Sequence, residues 1–522
     1  MKSSSTSSGR TSQKSQQAEK MNVAYQQLAD DRGTSESISP KQLMQELLGS
    51  KVRFVLIKGE PGAGKTTLAL ELMKNYGGGV YISTRVSKEL TLAQQPVINE
   101  LIKKGKVTGF SLDEETLKTK ENLKQTEDSE NKADSSSTLS ESFSFEDYRL
   151  STHEDILAAI LKGLDQNLPS KEPLIVLDSW DAIAKRVEPV ERQKLEQAML
   201  VMAEAKQARI IFVSEEPALT TVDYVVDAVV SLTDEVLNGR RIRRIAWKKL
   251  RGSPIPQRSF IYTLYDGNFT VFENTKIYLP GTYPVKPFRP IRHTLHFYST
   301  GSEDLDAFFG EGIARGSFVV LEIGEHVNPS WHIPIIQSIQ SNFLANNGCV
   351  FVIPTTHSTP MYARAKLKQY FPEETLRSSL RVGHFQPFPS DPCFVRLNNE
   401  GSISHRQLVS TEIRRIKGRS NRNCVYVLGI DTLENFVETE ELSHLASSFS
   451  QSMKVTGDLM IAVVKPASKI GSQLTNSCDI HLKLEEVDRT LLLYSLNPAS
   501  ELHHVKYDYC AGYPAVKLTP IL

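Results

Sequence analysis

No stretch of the 522 residues approaches the roughly 20 consecutive apolar positions that a membrane-crossing helix needs, so a membrane protein is not expected. Met1 to Lys20 is rich in Ser, Gln and Lys and lacks the apolar core of a secretory leader. Net charge is also absent. The 61 basic and 61 acidic residues cancel, so no whole-molecule field attracts a polyanion, and any such partner must be met by a local patch. Cysteine is scarce: the five thiols (Cys349, Cys393, Cys424, Cys478, Cys510) all lie in the second half, odd in number and without C-x-x-C spacing. They read as reduced thiols of a cytoplasmic protein. A hydrophobic content of 40% nevertheless suits packed cores, and the length allows two or three domains.

One stretch carries explicit chemistry. The apolar run from Phe54 to Ile57 flows into Gly59-Glu60-Pro61-Gly62-Ala63-Gly64-Lys65-Thr66-Thr67 and then into a helical pattern with Leu68, Leu72 and Met73 on one face. This is a phosphate-binding loop. Its backbone N–H groups are expected to curl around phosphates, Lys65 to reach the outer ones, and Thr66 to ligate Mg2+. Gly59, Gly62 and Gly64 are read as positions where a side chain would intrude on the phosphates or force an unfavourable backbone. Leu174 to Leu177 forms a second apolar run ending in Asp178, suited to hold the same Mg2+ from a neighbouring strand.

Around this loop the chain alternates short buried-type strands with helical patterns, which predicts a mainly parallel α/β sheet covered on both faces. The expected organisation is a disordered tail over 1–36, a nucleotide domain over 37–278 with a disordered insert at about 111–147, a linker at 279–290, and a second domain over 291–522. Expected elements include strands Val52–Ile57, Gly79–Ser83 and Arg209–Val213, helices Glu154–Leu164 and Val190–Ala205, and a more antiparallel closing section through Arg240–Leu250. The second domain repeats the order of the first weakly. Phe318 to Glu325 parallels Phe54 to Glu60, but Gly64, Lys65 and Thr66 are then met by Pro329, Ser330 and Trp331. The phosphate-contacting side chains are lost. Asp431, after the run Val425 to Leu428, is read as a structural strand-end acid rather than a metal ligand.

Taken together, Gly59 to Thr67, the strand ending in Asp178-Ser179, the strand ending in Ser214-Glu215, and Lys249-Leu250-Arg251-Gly252 resemble the KaiC-like branch of the RecA superfamily of ATPases. Ser299 to Asp306 is similar to the G-x-x-x-L-D element that opens such domains. The resemblance covers roughly residues 38–522 and implies two tandem RecA-like P-loop NTPase domains, the second degenerate. The plan also resembles the archaeal GvpD type, a P-loop regulator of gas-vesicle synthesis with two arginine-rich regions, for which Arg240 to Arg251 and Arg414 to Arg422 are the matching stretches. KaiC-like proteins form rings in which a Lys-x-Arg element reaches the neighbour's outer phosphate, and Lys249 and Arg251 match it. The resemblance thus implies ATP and Mg2+ as ligands, Lys65, Lys249, Arg251 and Glu215 as the catalytic set, and self-assembly as a ring or dimer or a protein partner. Ser214 or Glu215 is expected to sense the outer phosphate.

One departure bears on turnover. The family places an acidic pair after the second strand, whereas here Ser83-Thr84-Arg85-Val86-Ser87 follows, with Glu89 too far along. General-base assistance contributes about 10² to 10⁴-fold, so tight binding with slow or partner-dependent hydrolysis is expected. Arg85 is a further candidate phosphate contact. A RecA-like or RadA-like DNA-dependent ATPase is the second reading, since the two basic runs offer phosphate contacts, though no recognition helix or zinc motif accompanies them. A slow autokinase is the third. His293, His296, His326, His332, His481, His503 and His504 lack metal-ligand spacing, and Trp180 is read as a packing residue at the edge of the cleft.

Overall fold

The computed structural model describes residues 40–49, 51–83, 107–111, 146–147, 157–158, 160–161, 172–185, 187–277, 283–386, 391–397, 402–418 and 422–522. The expected tail at 1–36, nearly all of the insert, most of the predicted helix Glu154–Leu164, and both Arg85 and Glu89 lie outside the described residues.

Among the described residues the first unit forms one sheet of ten strands: β1 Phe54–Gly59, β2 Gly79–Ser83, β3 Val107–Ser111, β4 Glu146–Asp147, β5 Leu174–Asp178, β6 Arg209–Ser214, β7 Ala228–Leu237, β8 Arg240–Leu250, β9 Ser259–Thr263 and β10 Thr270–Val271. Their spatial order is β10-β9-β8-β7-β1-β6-β5-β2-β3-β4. From β7 to β4 the pairing is parallel, while β7 to β10 are antiparallel. Period-two alternation explains why the central strands are apolar on both faces. Val55 and Ile57 pack on one side with Leu68, Leu72 and Trp247, and Phe54 and Leu56 pack on the other with Trp180, Met199 and Phe212.

A two-stranded ribbon, β11 Phe297–Tyr298 with β12 Ile313–Ala314, precedes the second unit. That unit holds β13 Phe318–Ile323, β14 Cys349–Ile353, β15 Leu380–His384, β16 Phe394–Arg396, β17 Cys424–Gly429, β18 Leu459–Val464, β19 Ile480–Val487, β20 Thr490–Asn497, β21 His503–Asp508 and β22 Ala515–Pro520. Its order, β16-β15-β14-β17-β18-β13-β19-β20-β21-β22, reproduces the first sheet strand for strand when that sheet is read from its β4 edge. The weak repeat in the sequence is therefore complete in topology: two RecA-like α/β units stand in tandem. They meet through their antiparallel sections, where Ile242, Ile261 and Phe272 form one buried cluster with Leu492, Tyr494, Leu502 and Ile521.

Candidate nucleotide site

The loop between β1 and the helix Lys65–Tyr76 sits at the carboxyl end of the parallel strands, where an open α/β sheet places its ligand. Gly62 and Gly64 have φ of 83° and 84°, a region that favours glycine. The three glycines serve different ends. A Cβ on Gly62 would meet nothing within 4 Å, so that side of the loop is free for a ligand, whereas one on Gly64 would lie 2.8 Å from Leu264 Cδ2 and one on Gly59 2.5 Å from the Leu232 carbonyl oxygen. Protein packing, rather than phosphate clearance alone, fixes Gly59 and Gly64.

Lys65 is 5% exposed; its Nζ donates to the Glu60 carbonyl at 2.8 Å and lies 3.5 Å from Glu215 Oε1. Thr66 Oγ1 donates to Asp178 Oδ2 at 2.6 Å, and the Tyr81 hydroxyl donates to the same oxygen at 3.0 Å. Asp178 is 3% exposed, and its other oxygen, Oδ1, is buried without a hydrogen-bond partner among the described residues. A buried carboxylate oxygen left unsatisfied is costly, and hard oxygen donors of this kind suit Mg2+. The residues present thus fit the ion: Thr66 and Asp178 would hold it, and it would supply positive charge against phosphate oxygens. Thr67 follows on the same first turn, whose N–H groups and dipole favour an anion.

Sequence reasoning missed Asp181. Its carboxylate accepts from Ser214 Oγ at 2.9 Å and from the Glu215 backbone N–H at 2.5 Å, so it sets the end of β6 on which Glu215 stands. Ser214 is thereby engaged with Asp181 and with Glu216 N–H. The only signal was position, three residues past Asp178. Lys58 was missed too. It is a buried cation paired to Asp223 at 2.9 Å, and although burial would raise the Asp223 carboxyl, hydrogen bonds from Lys58 and Thr220 hold it below its ordinary range. Trp180 packs edge-on against Phe212 at 5.3 Å.

Lys249 and Arg251 are not brought to this chain's loop. They stand beside Val229 and Asp227, at the amino end of the parallel strands, opposite the P-loop. Lys249 donates to the carbonyls of Asp223 and Tyr224 at 2.8 and 3.0 Å, and Arg251 donates to those of Tyr224 and Val225 at 2.6 and 3.2 Å. Burial, aided by the neighbouring Arg251 charge, holds the Lys249 ammonium below its ordinary range.

The basic run on β8 is largely consumed inside the molecule. Arg240 donates to the carbonyls of Ser500 and Ser495 and lies over the Tyr494 ring, and Arg244 pairs with Glu235 and Asp488. Arg243, 5% exposed, donates to the Leu522 carbonyl at 2.5 Å and to the Gly62 carbonyl at 3.0 Å. One guanidinium therefore joins the P-loop to the last strand region of the second unit. Arg243→Ala is expected to cost about 2–3 kcal/mol, because it strands two carbonyls and removes the charge opposite Asp234. Exposed Arg241→Ala is expected to stay within about 0.5 kcal/mol. Urea unfolding of the two variants checks this, and equal losses would remove the bridge from the account.

In the second unit the loop is longer. Nine residues, 324–332, separate β13 from the helix Ile333–Ala345, against five, 60–64, in the first. The helix accordingly opens on Ile333 and Pro334 where the first has Lys65 and Thr66, so the structural counterparts differ from the Ser330 and Trp331 that sequence alignment suggested, with the same loss of chemistry. Register makes the other point. Ile57, Val213 and Asp178 lie abreast across β1, β6 and β5, and Leu321, Val463 and Gly429 do so across β13, β18 and β17. Gly429 occupies the position of Asp178. Asp431, two residues on, is ion-paired to Lys465 at 2.6 Å and accepts from Thr356. Burial would raise its carboxyl, but those contacts hold it low.

Residues 49–276 match the family described as "ATPase: KaiC". The first unit is a KaiC-like P-loop ATPase domain. Over 92% of its length the chain is also similar to Protein GvpD2 of Halobacterium salinarum, with 23% identity across 96% of that protein, and to Protein GvpD1 of the same organism, with 22% identity across 96%. It is thus KaiC-like in its first unit and GvpD-like along nearly all of its length.

Proposed function

We propose that the chain is a nucleotide-gated regulatory protein that binds ATP with Mg2+ in the first unit, hydrolyses it slowly or only with a partner, and uses the second unit as a pseudo-ATPase. The observation that carries it is the buried, unsatisfied Oδ1 of Asp178 beside Thr66 and Lys65, a site complete except for its ligand's charges. ATP is the nucleotide favoured by the KaiC-like domain, and a regulatory output by the GvpD-like extent of the chain. Slow turnover follows from the lack of an acidic pair after β2. Lys249 and Arg251, remote from their own P-loop and with Arg251 half exposed, suit a neighbouring copy's phosphates in a ring or dimer. The DNA-dependent reading is disfavoured because Arg240, Arg243 and Arg244 are engaged within the molecule.

Thermal unfolding, turnover and light scattering of the full chain test this together. ATP with Mg2+ is expected to raise Tm by several degrees and to promote assembly, with turnover below about 10⁻² s⁻¹. No thermal stabilisation would remove nucleotide binding. Turnover comparable with ordinary enzymes would require a carboxylate base in place of the missing pair and bring the enzyme readings forward.

A further inference from the structure

Loss of the phosphate chemistry has not left the second unit featureless. Between the helix Ile333–Ala345, the helix Pro360–Lys368 and the carboxyl ends of β14, β17 and β18 lies a partly enclosed cavity. About 50 Å³ of it admits the centre of a water-sized atom, room for a molecule of a few heavy atoms and too little for a nucleotide. Its walls are mixed: Ile336, Val352, Val427 and Val463 are apolar, and His332, Thr355, Ser358 and Lys366 are polar.

One of these polar groups, His332, lacks what burial ordinarily demands, and a second, the half-buried Lys366, lacks a counter-ion. His332 is 4% exposed, yet its Nδ1 is buried with no hydrogen-bond partner. Burial, with the Lys465 and Lys366 charges adding to it, pushes its pKa down to about 3, so the ring is neutral, and in the tautomer with the proton on Nε2 the unpartnered Nδ1 is an acceptor. Lys366 has no carboxylate within ion-pair distance among the described residues. Its Nζ lies over the Tyr362 ring, at 4.5 Å. A cation without an anion and an acceptor without a donor, on one cavity, define the complement of a ligand.

We propose that this cavity binds a small carboxylate that also carries a hydrogen-bond donor, a hydroxy acid or an amino acid, through the Lys366 ammonium and Nδ1 of His332. The carboxylate neutralises Lys366, and the hydroxyl or ammonium N–H donates to His332. Thr355 and Ser358 supply hydroxyls at the same wall. This site stands apart from the P-loop chemistry of the first unit.

The proposal implies proton linkage. Burial alone brings the Lys366 ammonium down to about 7. The groups facing it are His332 from the loop and Tyr362 from its own helix; beyond them, Asp431 and Lys465 are paired to each other. Because the free ammonium is depressed and a bound carboxylate restores its charge, binding takes up a proton above pH 7. Affinity is then highest below pH 7 and weakens about tenfold per pH unit above it.

Calorimetry and thermal unfolding of the full chain with L-lactate, glycine and L-serine, beside acetate and inorganic phosphate, test the proposal. At least one donor-bearing carboxylate is expected to bind and to take up about one proton at pH 8, judged from two buffers of different ionisation heat. Lys366→Met, which removes an unpaired cation and is expected to fold, should abolish that binding, and His332→Leu should weaken it at least tenfold. Lys65→Ala should leave it unchanged. Should either cavity variant fail to fold, proton uptake by the unsubstituted chain decides alone. Absence of binding by all three donor-bearing probes overturns the proposal, as does binding without proton uptake or equal binding of acetate or phosphate.

Discussion

Lys65→Ala is expected to weaken nucleotide binding by at least about 10²-fold while leaving the ligand-free fold almost as stable as before. Hydrogen bonds to charged groups contribute about 1.5–3 kcal/mol each, and the ammonium of a P-loop lysine makes more than one to the outer phosphates. A second term works in the same direction. In the ligand-free protein Lys65 stands 3.5 Å from Glu215 and donates to the Glu60 carbonyl, so its removal exposes a polyanionic ligand to an uncompensated carboxylate. The stability cost is small by contrast. Glu215 is 28% exposed on its side chain and can be rehydrated, which puts the loss within about 1 kcal/mol. Titration with a fluorescent ATP analogue alongside thermal unfolding checks both halves. Affinity within a few-fold of the unsubstituted protein would mean that the backbone cradle and Mg2+ hold the phosphates without this side chain.

What could be read without coordinates was what is local in the chain. β2, β5 and β8 fall where their patterns placed them, and the helix predicted at Val190–Ala205 extends one residue earlier, to Pro189. The P-loop, Thr66 and Asp178 were legible because loop and strand end are each contiguous motifs whose meeting is fixed by parallel sheet topology. Other features depended on distant partners. Arg243 reads as one more cation in a basic strand, and only the approach of Gly62 and Leu522, each far away in sequence, makes it a bridge. Asp181 gains its role from Ser214 and Glu215 across a strand. The misaligned second loop has a different cause. Insertions in surface loops cost little, so four extra residues between β13 and its helix shift the frame without disturbing the sheet. The unpaired His332 and Lys366 show nothing unusual as letters, because lacking a partner is a property of space.

The second basic run leads to the largest expected change in stability. Lys417 ends the helix Ser402–Lys417, and its Nζ lies 2.5 Å from Oδ2 of Asp458, a residue with no exposed surface. Oδ1 of the same carboxylate accepts from the Cys424 backbone N–H at 2.8 Å. One buried carboxylate therefore holds a helix end to the starts of β17 and β18, so the apparent surface cation in the run Arg414 to Arg422 is an interior one. Asp458→Ala strands a buried ammonium and a backbone donor together. Breaking a buried pair from one side costs about 3–5 kcal/mol, a large part of the 5–15 kcal/mol that ordinarily separates folded from unfolded chains. Replacing both partners by apolar side chains, Lys417→Met with Asp458→Leu, is expected to recover much of that loss, since the penalty arises from the lone charge rather than from absence of the pair. Urea unfolding of the single and double variants distinguishes the two contributions. A single-variant loss below about 1 kcal/mol would mean that water reaches the stranded ammonium, and the Lys417–Asp458 contact would then be no anchor of the second unit.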